Sequence, residues 1–279
     1  MNKMKIIASV FLSALVFSNC TTLELNSKWA ENNIIIDGLD NEWSGSYNFL
    51  EDEKAAVSVR NDSAHLYLIF KTMDNQVMQK IFSNGLTVWI DPSADEKKSF
   101  GIHYPIGMIT WNKSQLYDPP DWGAPEEREK RLKEKSKIML NELEIITVNE
   151  RGTQNISFIK PNGISAAIKD TVGTFIYEMK IPLISPIGSL YNLNILPGSM
   201  INIGIETGEI DRQSIMEQKS PGSGMPGVGK EGRGGGIGKG GGMGRGNQSA
   251  MKNMLEPIKL WISLTLSIEN KQIDNNDAK

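Results

Sequence analysis

Cysteine is almost absent. Cys20 is the only one in 279 residues, which excludes an internal disulfide and leaves packing to hold the fold. Histidine is down to His65 and His103. With Met108 they are the only candidates for haem axial ligands, and no Cys-x-x-Cys-His attachment motif accompanies them. A basic excess is also missing: 30 basic side chains stand against 33 acidic ones, which argues against a dedicated nucleic-acid binder. The longest apolar run near the start, 6–17, is too short to span a bilayer comfortably, and no later segment does better. Catalytic signatures are lacking too. There is no Gly-x-Ser-x-Gly elbow, no His-Glu-x-x-His helix, and nothing that singles out two carboxylates for glycoside hydrolysis. The chain reads as a non-enzyme.

What is present starts at the N-terminus. Lys3 and Lys5 precede the apolar run, as in an export signal. Phe17-Ser18-Asn19-Cys20 follows directly and resembles the lipobox of bacterial lipoproteins, although Asn19 and Phe17 depart from the usual residues there. The resemblance implies that Cys20 carries lipid and anchors an exported protein to the cell envelope. A simple cleaved signal with a chance cysteine is the other reading. The expected organisation is a signal at 1–19, a lipid anchor and polar tether at 20–33, one domain at 34–270 and a polar tail at 271–279.

Short alternating runs rich in β-branched and aromatic residues fill the domain: 57–60, 65–70, 86–91, 100–104, 143–148, 156–159, 164–168, 175–181, 201–205 and 258–266. Turn residues bound each. The pattern predicts an all-β protein, an antiparallel β-sandwich. One segment differs. Ala124 to Leu143 is charged, opens with Pro125, Glu126 and Glu127, and predicts an exposed helical insertion. Between Gly222 and Gly246, 14 of 25 residues are glycine. The run lacks the Gly-Lys-Ser/Thr of a phosphate loop, so 218–250 reads as a long disordered loop. The clean strand after it cannot stand alone, which places that loop inside one domain, before the last strand.

Ile34-Ile35-Ile36-Asp37-Gly38 with Trp43, then Val59-Arg60-Asn61-Asp62 before His65 to Leu68, Gly85 to Asp91 with Pro92, and Glu178-Met179-Lys180-Ile181-Pro182 resemble, in that order, family 9 carbohydrate-binding modules and their DOMON-like relatives. The resemblance implies a sandwich that binds rather than catalyses. Some members bind sugar ends between aromatic rings, often with structural calcium, and some relatives bind haem. Fold likeness does not decide among these.

Alternation sorts the strand residues into two phases. Leu66, Leu68, Val88, Ile90, Ile203, Ile262 and their like make a core phase. The opposite phase holds Arg60, Tyr67, Trp89, Asp91, His103, Asn202, Glu206, Trp261 and Ser263. Trp89, Trp261, Tyr67, His103 and Glu206 are the first candidates for a carbohydrate or glycan platform, with indole faces stacking on sugar rings. The alternative is that the inserted helix or a loop covers that face and buries both rings. Trp111 and Trp122 flank a Pro-rich loop and are the second candidates, or anchors for that loop. Asp91, Asp95 and Glu96 have oxygen ligands suited to calcium, or are simply solvated. No cofactor is firmly implied. A haem-binding redox accessory and an envelope adhesion protein with a protein partner remain as other function classes.

Overall fold

The computed structural model describes residues 22–45, 47–107, 126–127, 130, 134, 140–149, 152–158, 163–189, 191–208 and 256–269. Two sheets face each other. The seven-stranded sheet holds, in spatial order, β1 (Leu23–Asn26), β13 (Lys259–Thr265), β12 (Met200–Thr207), β6 (Leu86–Asp91), β7 (Phe100–His103), β8 (Leu143–Asn149) and β9 (Gly152–Phe158). The six-stranded sheet runs β10 (Ser165–Thr171), β11 (Thr174–Pro182), β5 (His65–Thr72), β4 (Ala55–Asn61) and β2 (Lys28–Trp29), with β3 (Asn48–Leu50) also on β4. The fold is the all-β sandwich that the alternation predicts. The core phase lies between the sheets: Val57, Val59, Leu66, Leu68, Phe70, Val88, Ile90, Ile203, Ile205, Ile262 and Leu264 share one buried cluster.

Two features depart from expectation. First, the segment 20–33 is not only a tether. Leu23–Asn26 pairs in parallel with β13, and Lys28–Trp29 pairs in parallel with β4, so the sheets are mixed rather than purely antiparallel. The chain crosses between the sheets at Ser27. There the buried Asn61 carboxamide bonds Ser27 Oγ, the Ser267 amide at 2.8 Å and the Ser267 carbonyl at 2.9 Å. A polar segment becomes structural because those partners satisfy its buried groups.

Second, a helix, α1 (Asn75–Asn84), sits between β5 and β6. The Asp74 carboxylate accepts from the Gln76 and Val77 amides, which caps its first turn. Val77 and Ile81 are buried, with Met78 and Phe82 packed against the core. It ends at Gly85, whose φ of 76° few other residues adopt. Of the expected exposed helical insertion 124–143 only residues 126, 127, 130, 134 and 140–143 are described, and 126, 127, 130, 134, 140 and 141 are helical and exposed as expected. The Gly-rich run at 218–250 lies outside the described residues. The strand that follows it, β13, pairs with β12 and β1 in the middle of one sheet.

Residues 30–45 cross the outer face of the six-stranded sheet and bury a second, smaller cluster: Ala30, Ile34, Trp43, Tyr67, Ile69 and Ile176. Glu178 of β11 clamps this cover. One carboxylate oxygen accepts from Trp43 Nε1 at 2.7 Å, the other from the Gly38 amide at 2.7 Å and the Asp37 amide at 3.1 Å. Gly38 is needed twice, for its φ of 78° and because a Cβ there would lie 2.8 Å from Lys169 Cβ. The Asp-Gly, Trp and Glu-x-x-Ile-Pro elements noted in the sequence are thus the two halves of one structural latch.

Candidate ligand-binding surface

The outer face of the seven-stranded sheet carries the two tryptophans in one row. Pairing puts Trp261 opposite Gly204, Gly204 opposite Trp89, and Trp89 opposite Gly101. Both indoles lie down on the glycine beside them. A Cβ on Gly204 would fall 2.9 Å from Trp261 Cη2, and one on Gly101 would fall 2.8 Å from Trp89 Cε3. The row crosses four strands, about 14 Å at the usual strand spacing. Trp261 is half-buried. Trp89 is only 6% exposed. The Lys98 ammonium lies 5.7 Å from the centre of its ring and pairs with the Glu206 carboxylate of β12. Trp89 Nε1 and Asn202 Oδ1 are buried without a hydrogen-bond partner among the described residues.

The other residues read from the sequence divide. Glu206 and His103 share this face with the tryptophans. Tyr67 does not: it lies in the other sheet, buried under residues 30–45, with its hydroxyl donating to Asp62 at 2.8 Å. Alternation assigns a residue to a phase but not to a sheet, so Tyr67 and Trp89 looked equivalent. His103 is a packing residue. Its Nδ1 is 2.9 Å from Thr87 Oγ1, and its ring covers Gly85, where a Cβ would lie 2.4 Å from Nε2. Burial pushes its pKa down to about 4, so the ring is neutral at pH 7. His65 stands on the opposite sheet beside Asp62, and burial lowers its pKa too. Trp111, Trp122, Met108 and Cys20 lie outside the described residues.

Asp91 organises the loop after β6. One oxygen accepts from the amide and hydroxyl of Ser93, the other from the Asp95 and Lys97 amides. Burial raises its carboxyl, but those hydrogen bonds outweigh burial and hold it below the ordinary carboxylate range. Asp95 pairs with Lys97 at 2.6 Å, and Glu96 accepts from Thr22 at 2.6 Å. Among the described residues no group of three or more His, Cys, Asp or Glu is arranged around a metal position.

Sequence reading missed two things here. Gly101 and Gly204 sit inside otherwise alternating strands, and a glycine in a strand interior marks a close approach; that signal was available. The second is a groove on the other sheet. It has a volume of about 580 Å³, and Tyr47, Phe49, Ala56, Lys71 and Met73 are among its lining residues. Phe49 is 81% exposed and Met73 74%. A three-residue strand carries no alternation to read.

No family model matches the chain, and no curated protein matches it. Two solved structures of a family 9 carbohydrate-binding module from Caldicellulosiruptor kristjanssonii are similar, one in complex with glucose and one with cellotriose. Each is 12% identical to this chain and covers 68% of it, while the chain covers 81% and 79% of theirs, with TM-scores of 0.33 and 0.32. At those values the likeness decides neither the ligand nor the site.

Proposed function

We propose that the protein binds saccharides without transforming them, on the outer face of the seven-stranded sheet. One observation carries this: two indoles in one row, each laid flat by a glycine. An indole held parallel to a sheet offers its face rather than its edge, which suits the C–H face of a pyranose. Trp261 is the open ring. Trp89 continues the row beneath Lys98, a flexible side chain whose displacement would uncover it. Glu206, Asn202 and Ser263 supply polar groups for hydroxyls beside the rings. Haem finds no comparable support, because the two histidines lie on different sheets and His103 is packed on backbone.

The proposed location is the cell envelope, with lipid on Cys20. That reading rests on the sequence around Cys20. Only two residues, Thr21 and Thr22, separate it from β1, at most about 11 Å of chain. A lipid there would hold that end of the sandwich close to the membrane. Cys20→Ser should then move the protein from the membrane fraction to the soluble fraction.

The deciding experiment is a titration of the full chain with a broad panel of neutral oligosaccharides, read by tryptophan fluorescence. Binding that falls about tenfold or more in Trp261→Ala is the expected result. No response to any saccharide from a folded protein would overturn the proposal.

A further inference from the structure

The cover on the six-stranded sheet stops at Tyr47, and the strand that follows leaves a corner of that face open. Pairing sets Phe49 opposite Ala56, and Ala56 opposite Lys71. Phe49 and Lys71 are large and Ala56 is small, so the row sinks between them. Tyr47, Met73 and Thr174 close the sides of the resulting groove. Phe49 is 81% exposed there. An aromatic ring left open beside a hollow in a sheet face differs from a scattered surface leucine, because it offers a flat apolar wall next to a floor.

The charges around the groove narrow its occupant. Lys71 pairs with Asp40 and lies 4.6 Å from the centre of the Tyr47 ring. Lys54 pairs with Asp74 at 2.9 Å. Each lysine of the wall therefore already has a carboxylate, and Glu51 adds a further carboxylate to the lining, so among the described residues the groove offers an acidic ligand no unmatched ammonium. Its flat ring, its apolar floor and a rim of ion pairs, hydroxyls and the Glu51 carboxylate, an acceptor for a hydroxyl, fit a neutral molecule with one apolar face and hydroxyls around its edge.

We propose that this groove is a second binding site, and that it takes a neutral saccharide unit stacked on Phe49. The site stands on its own geometry and survives the failure of the reading given for Trp261. If both hold, the sandwich binds a saccharide on each outer face.

The two sites report separately. Among the described residues no tryptophan lines the groove, so tryptophan fluorescence does not report on it directly, while the Met73 methyl is a local probe. The experiment is methyl NMR of the full chain labelled at methionine, with Met73 assigned by Met73→Leu, during titration with neutral tri- and tetrasaccharides. The Met73 signal should shift saturably. Phe49→Ala should weaken that response at least tenfold, Phe49→Tyr should keep it, and Trp261→Ala should leave it unchanged. No Met73 shift with any neutral saccharide would overturn the proposal, as would a shift that persists in Phe49→Ala. A shift that follows protein concentration without sugar would make a second copy of the chain the occupant, and would also overturn it.

Discussion

The two outer faces of this sandwich had equal claims in sequence and have different fates. On the six-stranded sheet, Tyr67, Ile69 and Ile176 are roofed by residues 30–45 and become a second core. On the seven-stranded sheet, Trp89 and Trp261 lie over glycines on the outer face, Trp261 half-buried and Trp89 almost wholly buried. The difference is where the covering chain is tied. Glu178 holds Asp37, Gly38 and Trp43 on the first face. A large aromatic in the outward phase is thus structural on one side and a candidate contact on the other.

The largest effect expected from this contrast is on stability. Trp43→Ala empties a fully buried site and orphans part of the Glu178 carboxylate, and should cost about 3–5 kcal/mol in urea unfolding. Trp261→Ala removes a half-buried ring and should cost under about 1.5 kcal/mol. Equal costs would break the comparison and make Trp261 a core residue.

The next effect depends on pH. His103 has a folded pKa of about 4 against an ordinary 6.5. Below pH 6.5 the unfolded chain takes up a proton that the folded ring refuses. Stability from this group is therefore complete above 6.5 and declines as pH falls toward 4, by about 3 kcal/mol in all. His103→Gln should flatten that part of the stability profile. An unchanged profile would mean that the ring is open to solvent.

Smaller effects concern binding alone. Gly204→Ala should lift the Trp261 ring and weaken saccharide binding by about tenfold, near 1.4 kcal/mol, with a minor change in unfolding midpoint. Binding unaffected by Gly204→Ala would remove the reason for calling that ring a platform. The smallest change is expected from Lys98→Ala. Its ion pair with Glu206 is exposed and worth 0–1 kcal/mol at most. The mutant should show red-shifted tryptophan emission as Trp89 gains water, with equal or slightly tighter saccharide binding.

Much of the fold was legible because local rules govern it. Period-2 alternation in 86–91, 201–205 and 258–266 returns as β6, β12 and β13, with Val88, Ile203 and Ile262 in the core. Helix α1 was missed although Asp74 and the spacing of Val77, Met78, Ile81 and Phe82 announce it. Ten residues between strong strands are easily absorbed into a loop. Strand β1 has only the short alternation of Leu23 and Leu25 in a polar segment, and the two residues of β2 have no period to read. Both strands form because β13 and β4 leave edges to pair with and Asn61 satisfies the crossing at Ser27.

Sequence by itself determined the class of fold, the phase of each strand residue, and the shortage of histidine, cysteine and basic charge that narrows the chemistry. These follow from composition and from neighbours along the chain. Tertiary structure alone decided which strands share a sheet, that Glu178 closes a latch on Asp37, Gly38 and Trp43, that glycines 101 and 204 lie beneath indoles, and that Phe49 walls an open groove. Each of those joins residues that are distant in the chain or on different strands. Pairing and packing, which no local pattern encodes, bring them together.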